Sequence, residues 1–263
     1  MKVTSFALTS AFCLIFTLPT GKLFRWKFSH FRVLTFEYKR IESVRATATF
    51  NSGSRFNDIL IKQGNGQLFV KVKDPTFAEI IIPPLHMRLY SVDFAGDTNL
   101  LTIFSRPEID IQKLSEDGTV HSKMSKETEF LVAMLFPIMK QNVSVGDSLD
   151  FPLSIPIHLF DNYVEYVNGH NRIRYLGSKG KLANFESQIN TSDSIITFGS
   201  KEGGYTYTVQ GDAKYEFDFE KGYFTQGFVR IGKGFKTNSS DTSISRQYTN
   251  LETRIELRLV NAR

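Results

Sequence analysis

The stretch YEFDFEKGYFTQGFVRI, residues 215–231, decides the fold class of this chain. Its first six residues alternate between aromatic and acidic, so in a strand Tyr215 and Phe217 share one face and the carboxylates share the other. A Lys-Gly pair follows, and Gly222 tolerates the backbone of a tight turn before apolar residues resume. The pattern predicts a β-hairpin with one dry face and one solvated face.

The same two-residue period runs through the chain from residue 34 to its end. It is clear in LTFEYKR (34–40), LFVKVK (68–73) and TRIELRL (253–259), where apolar and polar residues alternate. We therefore predict a mainly β protein, built as an extended antiparallel, curved sheet or open half-barrel. Pairs of glycine, asparagine and aspartate predict turns at Asn65-Gly66, Asp117-Gly118, Asn168-Gly169, Gly203-Gly204 and Lys221-Gly222.

One segment, SKETEFLVAMLFPIMK (125–140), departs from this period and predicts a helix near 126–137. Ser125 can cap its first turn, acidic residues there suit the positive end of the helix dipole, and Pro137 ends it. The helix is apolar on nearly every side, so we expect it to be buried against the sheet. No linker divides the chain, and residues 34–263 are predicted to be a single all-β domain.

The first 21 residues have the layout of a signal peptide. Lys2 supplies a positive start, residues 6–18 supply an apolar core, and a Pro-Thr-Gly sequence supplies a region for cleavage. An uncleaved anchor is the alternative, because residues 3–20 carry no charge. Cleavage after about residue 21 is our prediction.

The only cysteine, Cys13, lies inside this leader. The bulky Phe12 precedes it and the apolar run continues past it, so it does not fit a lipid attachment site. A mature chain without cysteine forms no disulfide, no thiolate metal site and no thiol nucleophile. The leader and the cysteine-free body together indicate an exported protein of the bacterial envelope, periplasmic, in the outer envelope or secreted.

Charge is concentrated at the start of the chain. The formal net charge is +5, and residues 1–36 hold five basic residues and no acidic one. In the rest of the chain, 27 Lys and Arg residues balance 27 Asp and Glu residues, so its formal charge is zero. A body without net charge is a poor phosphate binder, so we exclude nucleic acid as a partner. The basic-aromatic junction, residues 22–33, is predicted to make peripheral contact with a membrane.

Three short motifs follow the helix in order. They are Val145-Gly146-Asp147 at a strand start, Tyr175-Leu176-Gly177 in a strand, and Phe217-Asp218 leading to Gly222 in a hairpin. Over roughly residues 109–231 this order resembles exported bacterial all-β proteins of unknown function. The resemblance implies an envelope location and a curved sheet, and it carries no catalytic residue over to this chain.

Fragments of known ligand motifs have simpler explanations. Gly64–Gly66 and Gly232–Gly234 contain G-x-G, but neither opens a helix, so we predict hairpin turns there. His158, Asp161 and His170 lack the paired spacing of zinc ligands. We therefore predict no metal site and no cofactor.

An acidic row is the remaining candidate for chemistry. In a strand, Glu216, Asp218 and Glu220 would be spaced like the carboxylates of a glycosidase. They also occupy the polar positions that any amphipathic strand turns toward solvent. A solvated face is the better explanation. No G-x-S-x-G motif is present either, so we predict no catalytic residue and no enzyme activity.

The aromatic residues say most about function. The chain has 24 Phe and 10 Tyr, and a curved sheet with an aromatic interior suits an acyl chain as well as plain core packing. We predict a non-catalytic exported envelope protein, with a lipid or other apolar small molecule as its partner and no ligand-binding residue assigned. An outer-membrane β-barrel and a hydrolase without a sequence signature are the alternatives.

Overall fold

The structure is a computed structural model that describes residues 21–160, 163–191, 196–198, 205–237 and 244–263. The leader predicted for residues 1–21 lies outside the described residues except for Gly21. The turn predicted at Gly203-Gly204 and the candidate ligand Asp161 also lie outside them.

Within these ranges the chain forms thirteen strands, one α-helix and one short 3-10 helix. The strands are β1 (Val33–Phe50), β2 (Arg55–Val72), β3 (Phe77–Ile82), β4 (Leu85–Val92), β5 (Thr98–Arg106), β6 (Ile109–Ser115), β7 (Ser148–Phe160), β8 (Tyr163–Lys179), β9 (Leu182–Thr191), β10 (Ile196–Phe198), β11 (Tyr205–Asp218), β12 (Tyr223–Thr237) and β13 (Ile244–Ala262). The helix α1 is Lys126–Leu135, and the 3-10 helix is Phe28–His30.

All the strands belong to one antiparallel sheet. Its main path runs β5-β4-β2-β1-β13-β12-β11-β9-β8-β7, while β3 joins β2 to β6 and β10 pairs with β11. The path ends at β5 and at β7, so the described sheet is open. The predicted fold class, a mainly β antiparallel sheet with one helix, is confirmed.

The alternation in the sequence sorts residues onto two faces. On β1, Leu34, Phe36 and Tyr38 are all buried, and we name the face that carries them the inner face. On the outer face, Lys39 lies 3.7 Å from Glu256 of the paired strand β13, and both side chains are about half exposed. One face therefore forms the core and the other meets solvent, as the period predicts.

Prolines interrupt the strands on one flank of the sheet. β4 pairs with the middle of β2 and β3 with its end, and Pro83-Pro84 falls between them. β5 and β6 pair with β4 and β3 in turn, and Pro107 falls at the same break. Proline has no N–H to donate to a strand ladder, so two long strands are each divided into two.

Glycines on the inner face let neighbouring strands approach closely. A Cβ atom at Gly64 would lie 2.5 Å from the Met87 sulfur and 2.9 Å from the His86 carbonyl oxygen. On the opposite flank, a Cβ atom at Gly169 would lie 2.5 Å from a methyl carbon of Ile155. Because glycine has no Cβ atom, side chains of the next strand can pack directly against these positions. Close approach of this kind allows the sheet to curve.

These glycines correct three turn predictions. Gly64–Gly66 lies inside β2, Asn168-Gly169 inside β8 and Gly232–Gly234 inside β12, so the hairpin turns predicted there are wrong. The turns predicted at Asp117-Gly118 and Lys221-Gly222 are confirmed, and both glycines have positive φ, 79° and 72°. Sequence alone does not separate a glycine that reverses the chain from one that lets strands touch.

The N-terminal segment covers one end of the inner face. Trp26 is fully buried, and Phe24, Phe28 and Phe31 are at most 4% exposed. The Trp26 ring meets Phe136, in the segment after α1, edge-on at 5.5 Å between centroids. Burying each such ring stabilises the fold by roughly 1.5–3 kcal/mol, so this segment is part of the core.

This packing limits what the junction can offer a membrane. Its aromatic rings lie in the core, while Arg25 and Arg32 are exposed and Leu23 is 39% exposed. Membrane contact through residues 22–33 stays a prediction, and it would involve these exposed side chains rather than Trp26.

Helix α1 forms the second part of the cover. The Ser125 hydroxyl accepts the Thr128 amide at 3.2 Å, which confirms the predicted cap. The Tyr215 hydroxyl of the sheet donates to the Met134 carbonyl oxygen at 2.6 Å and so fixes the helix over β11. The helix ends at Leu135, two residues before the predicted end, because proline disfavours helical backbone in the residue before it.

Within the described ranges, none of the helical segments has the length and apolar character needed to cross a membrane.

Candidate functional site

Four charged side chains meet on the inner face beyond the covered core. Arg40 and Glu42 continue the inner-face series of β1, and Lys233 continues that of β12 after the buried Ile231. Arg106, the last residue of β5, reaches the same place. We name Arg40, Glu42, Arg106 and Lys233 the inner-face cluster.

The cluster is centred on one carboxylate. Glu42 Oε1 accepts hydrogen bonds from Arg40 Nε at 2.7 Å and from Arg106 Nη2 at 2.5 Å. The Lys233 ammonium donates to the Pro156 carbonyl oxygen on β7. Because β11, β9 and β8 stand between β12 and β7 in the sheet order, this contact requires a strongly curved sheet.

Burial and mutual charge shift the pKa values of the cluster. Burial alone would raise the pKa of the Glu42 carboxyl, but the Arg40 and Arg106 charges outweigh it and hold that pKa below its usual value. Burial, with the charge of Arg40 nearby, lowers the pKa of Lys233 to about 8. At neutral pH the cluster holds three cations and one carboxylate.

Two buried donors on the inner face, one in the cluster and one on β8, lack an acceptor among the described residues. Arg106 Nε and Asn171 Nδ2 have no hydrogen-bond partner among the described residues. Asn171, on β8, is 1% exposed, and its side-chain oxygen accepts the Ser187 hydroxyl. An unpaired buried donor costs roughly 1–3 kcal/mol, so the inner face is short of acceptors where these groups lie.

Apolar side chains adjoin the cluster along the strands. On the covered side, Ile231 and Ile255 are buried in the core. On the distal side, Val44 and Leu60 pair across β1 and β2, and Val44 also pairs with Leu251 of β13. These three distal residues are half-buried and lie beyond the core. The cluster thus separates a closed apolar region from a partly open one.

Near Leu60, β2 carries apolar residues on both faces, and the neighbouring flank strand β5 exposes apolar residues on the outer face. Ile59 and Ile61 are half-buried on the outer face, opposite the inner-facing Leu60. On β5, Leu100 and Ile103 are 53% and 56% exposed. Strands that are apolar on both faces are typical of sheets covered on both sides, so this region has the character of a contact surface.

A small apolar hollow lies beside α1. It measures about 320 Å³ and is lined mainly by Val132, Ala133, Phe136, Ile138 and Phe151, with charged groups at its rim. Its size and lining suit part of an apolar ligand.

A larger groove on the outer face is polar. It measures about 570 Å³ and is lined by residues that include Gln188, Asn190 and Gln210. An ion pair of Arg230 with Asp212, 2.7 Å apart, lies along it, and both side chains are about half exposed. Exposed pairs of this kind are common on strand surfaces and contribute little to stability.

The acidic row does not form a carboxylate pair. Asp218 is 2% exposed, and its side chain accepts the amides of Glu220 and Lys221 in the hairpin turn. Glu216 accepts the Thr225 hydroxyl instead. The solvated row predicted from alternation is therefore wrong at Asp218, which holds the turn together.

Of the candidate metal ligands, the side chain of only His170 is described. His170 is half-buried on β8, opposite Asn190 of β9, while the side chain of His158 is not described. Among the described residues, no group of three or more His, Cys, Asp or Glu side chains could hold a metal ion.

The Val145-Gly146-Asp147 motif forms the turn before β7. Gly146 has a φ of 93°, and the Asp147 side chain accepts the Ser144 amide at 2.7 Å. The Gly146 amide donates to the Tyr175 carbonyl oxygen at 2.8 Å, which joins two of the motifs. Their role here is structural.

The fold and the cluster define the class of protein: an open, curved antiparallel sheet whose inner face carries first a closed core and then a charged cluster. No protein-family model matches the chain, and no curated protein matches it. The resemblance to exported bacterial proteins therefore has no support from a family or a sequence relative.

Solved structures do match. A structure describing lipid–protein interactions in lipovitellin aligns with a TM-score of 0.52 at 12% sequence identity. The match covers 88% of this chain, which spans 25% of the length of that chain. At this identity the likeness shows a shared fold over the aligned part.

Sequence reasoning missed the inner-face cluster. Arg40 and Glu42 on β1 and Lys233 on β12 occupy inner-face positions of strands whose other inner residues are mainly apolar. A charged residue in the apolar phase of an alternating strand is the signal that could have identified them.

Proposed function

We propose that this chain is a non-catalytic, exported envelope protein that binds a lipid or other apolar ligand on the inner face of its sheet. The observation that carries the proposal is the distal inner face, where Val44, Leu60 and Leu251 are half-buried beyond the core. A ligand that removes such apolar surface from water is bound favourably.

The likeness to lipovitellin supports lipid as the class of ligand. The matched structure concerns lipid–protein interactions of that protein, and the shared fold extends over most of this chain. The curved sheet offers the concave apolar surface on which an acyl chain could lie.

Export and the absence of catalysis rest on the sequence. The leader has the layout of a signal peptide, and no catalytic motif is present. Sequencing of the mature N-terminus tests export, with cleavage after about residue 21 as the expected result.

Binding is tested with a fluorescent palmitoyl probe added to the purified, delipidated protein. Leu60 and Ile61 are neighbours on β2, both half-buried, and face opposite sides of the sheet. We expect Leu60→Gln to weaken probe binding roughly tenfold, because losing one buried leucine contact costs about 1.5 kcal/mol. Ile61→Gln is the matched control and should leave affinity within about twofold.

Two results would contradict the proposal. Protein that takes up no probe and co-purifies with no lipid has no such function. Equal losses of probe affinity in Leu60→Gln and Ile61→Gln would show that the inner face is not the binding site. Ala133→Trp fills the hollow beside α1, so loss of binding in that variant alone would place the ligand in the hollow instead.

A further inference from the structure

We propose that the inner-face cluster binds the anionic headgroup, a carboxylate or a phosphate, of an acyl lipid whose chain lies on the adjoining distal inner face. This inference rests on the proposed function and adds the chemical class of the ligand.

Charge is the first argument. Arg40, Arg106 and Lys233 surround a single carboxylate, and Lys62 of β2 lies directly opposite Glu42 and adds to the positive field there. The side chains of Glu42 and Arg106 are only 16% and 35% exposed, so water does not fully solvate this excess of positive charge. Partly buried charge is stabilised by a counter-charge, and the carboxylate present offsets only one cation.

The free donors are the second argument. Arg106 donates through Nη2 to Glu42, while its Nε is buried and has no acceptor among the described residues. Lys233 has one described acceptor, the Pro156 carbonyl oxygen, and an ammonium carries three donors. Guanidinium and ammonium groups are the side chains that match the oxygens of a carboxylate or a phosphate.

Position is the third argument. From Glu42 to Ala48, β1 rises by roughly 20 Å, and Val44 and Ala46 lie on the inner face between them. An extended acyl chain spans half of a bilayer core that is roughly 30 Å thick, so one chain fits this length. A headgroup at the cluster would therefore place the first part of its chain on Val44, Leu60 and Leu251, with Asp58 and Thr249 beside Ala46 further along.

A purely structural role explains less. Pairing Glu42 requires one cation, and Arg40 on the same strand already provides it at 2.7 Å. The second guanidinium and the ammonium have no further carboxylate among the described ion pairs. A ligand oxygen supplies the acceptors that the inner face lacks.

The test compares three ligands that share a palmitoyl chain: palmitate, palmitoyl lysophosphatidate and methyl palmitate. Affinities are measured by titration of the delipidated full-length mature protein. We expect at least one anionic lipid to bind about tenfold or more tightly than the neutral ester, because hydrogen bonds to charged groups are the strong ones. Preference between palmitate and lysophosphatidate then assigns carboxylate or phosphate.

Variants locate the headgroup. Lys233→Met and Arg106→Met should each lower the affinity for the anionic lipid about tenfold relative to wild type. The affinity for methyl palmitate should stay within about twofold of wild type. Lys236→Met is the matched control, since Lys236 lies on the same strand, is exposed and faces outward. Its affinities should not change.

The outcomes separate the two proposals. Equal binding of all three lipids, or equal losses in Lys233→Met and Lys236→Met, overturns the headgroup site and leaves apolar binding in place. Binding of none of the lipids overturns both. Thermal unfolding of each variant confirms that the affinities are those of folded protein.

Discussion

The Arg106 Nη2 atom lies 2.5 Å from Glu42 Oε1, although β4 and β2 stand between their strands in the sheet. Three strand spacings would separate the two backbones by roughly 14 Å in a flat sheet. The contact therefore combines two long side chains with a curved sheet. It ties the edge strand β5 to β1 across the inner face.

Removal of the carboxylate should destabilise the fold. Glu42→Gln leaves Arg40, Arg106 and Lys233 without their shared negative partner, and breaking a buried pair in this way costs about 3 kcal/mol. The folded pKa of Glu42 lies below 4.5, so its contribution is present above pH 4.5 and is lost as pH falls through the folded value. Urea unfolding at neutral and acidic pH measures both effects.

Glu256→Gln is the control for this prediction. Glu256 pairs with Lys39 at 3.7 Å on the exposed outer face, and such pairs contribute roughly 0–1 kcal/mol. If the two variants lose equal stability, Glu42 is not the centre of the inner-face cluster.

Glycine inside β2 should resist substitution. In Gly64→Ala the new methyl group meets Met87 and the His86 carbonyl oxygen, and the fold should lose roughly 1–3 kcal/mol. At Gly232 a methyl group meets only the Gln210 carbonyl oxygen at 3.7 Å, so Gly232→Ala should be neutral or stabilise by roughly 0.4–1 kcal/mol. Thermal unfolding compares them. Similar melting temperatures would show that close approach at Gly64 is not required.

Lys233 should make stability depend on alkaline pH. Its pKa is lowered from the ordinary 10.5 to about 8, so the folded protein binds fewer protons than the unfolded chain between these values. The free energy of unfolding therefore rises as pH increases from about 8 to 10.5, relative to Lys233→Met. Chemical denaturation at several pH values measures the difference, and Lys236→Met should keep the wild-type profile. If the difference in free energy of unfolding between wild type and Lys233→Met does not change with pH, the lowered pKa of Lys233 is contradicted.

The N-terminal segment should be essential for stability. Trp26→Ala removes a fully buried ring and should cost about 3–5 kcal/mol. Arg25→Ala, at the exposed neighbouring position, should stay within about 0.5 kcal/mol of wild type. Guanidinium unfolding measures both, and a chain that begins at residue 34 should fail to fold. A stable shortened chain would support the predicted domain of residues 34–263 and contradict an essential role for the N-terminal segment.

Alternation was sufficient to predict the sheet and its two faces. The period places Tyr215 and Phe217 on the dry face, and both are buried. The capped helix could also be predicted, since Ser125 and Pro137 act locally. These features depend on neighbours in sequence, which is why one chain is enough to predict them.

Strand order and the inner-face cluster could not be predicted in this way. The meeting of Glu42 with Arg106 depends on how far the sheet curves, and that follows from contacts distant in sequence. The burial of Asp218 follows from its capping of a turn, which overrides alternation. Gly64 gave the same local signal as a turn glycine, and only the neighbouring strand reveals its role.

The pairing of β1 with β13 has a consequence for how the chain folds. Leu34 lies opposite Ala262, and the Arg263 amide donates to the Val33 carbonyl oxygen at 3.0 Å. The hairpins and neighbouring strands of each flank pair over shorter separations, whereas β1 and β13 pair across most of the described chain. Such distant pairing slows folding. We therefore expect the β1–β13 pairing to form after the local hairpins and to join two already paired flanks of the sheet.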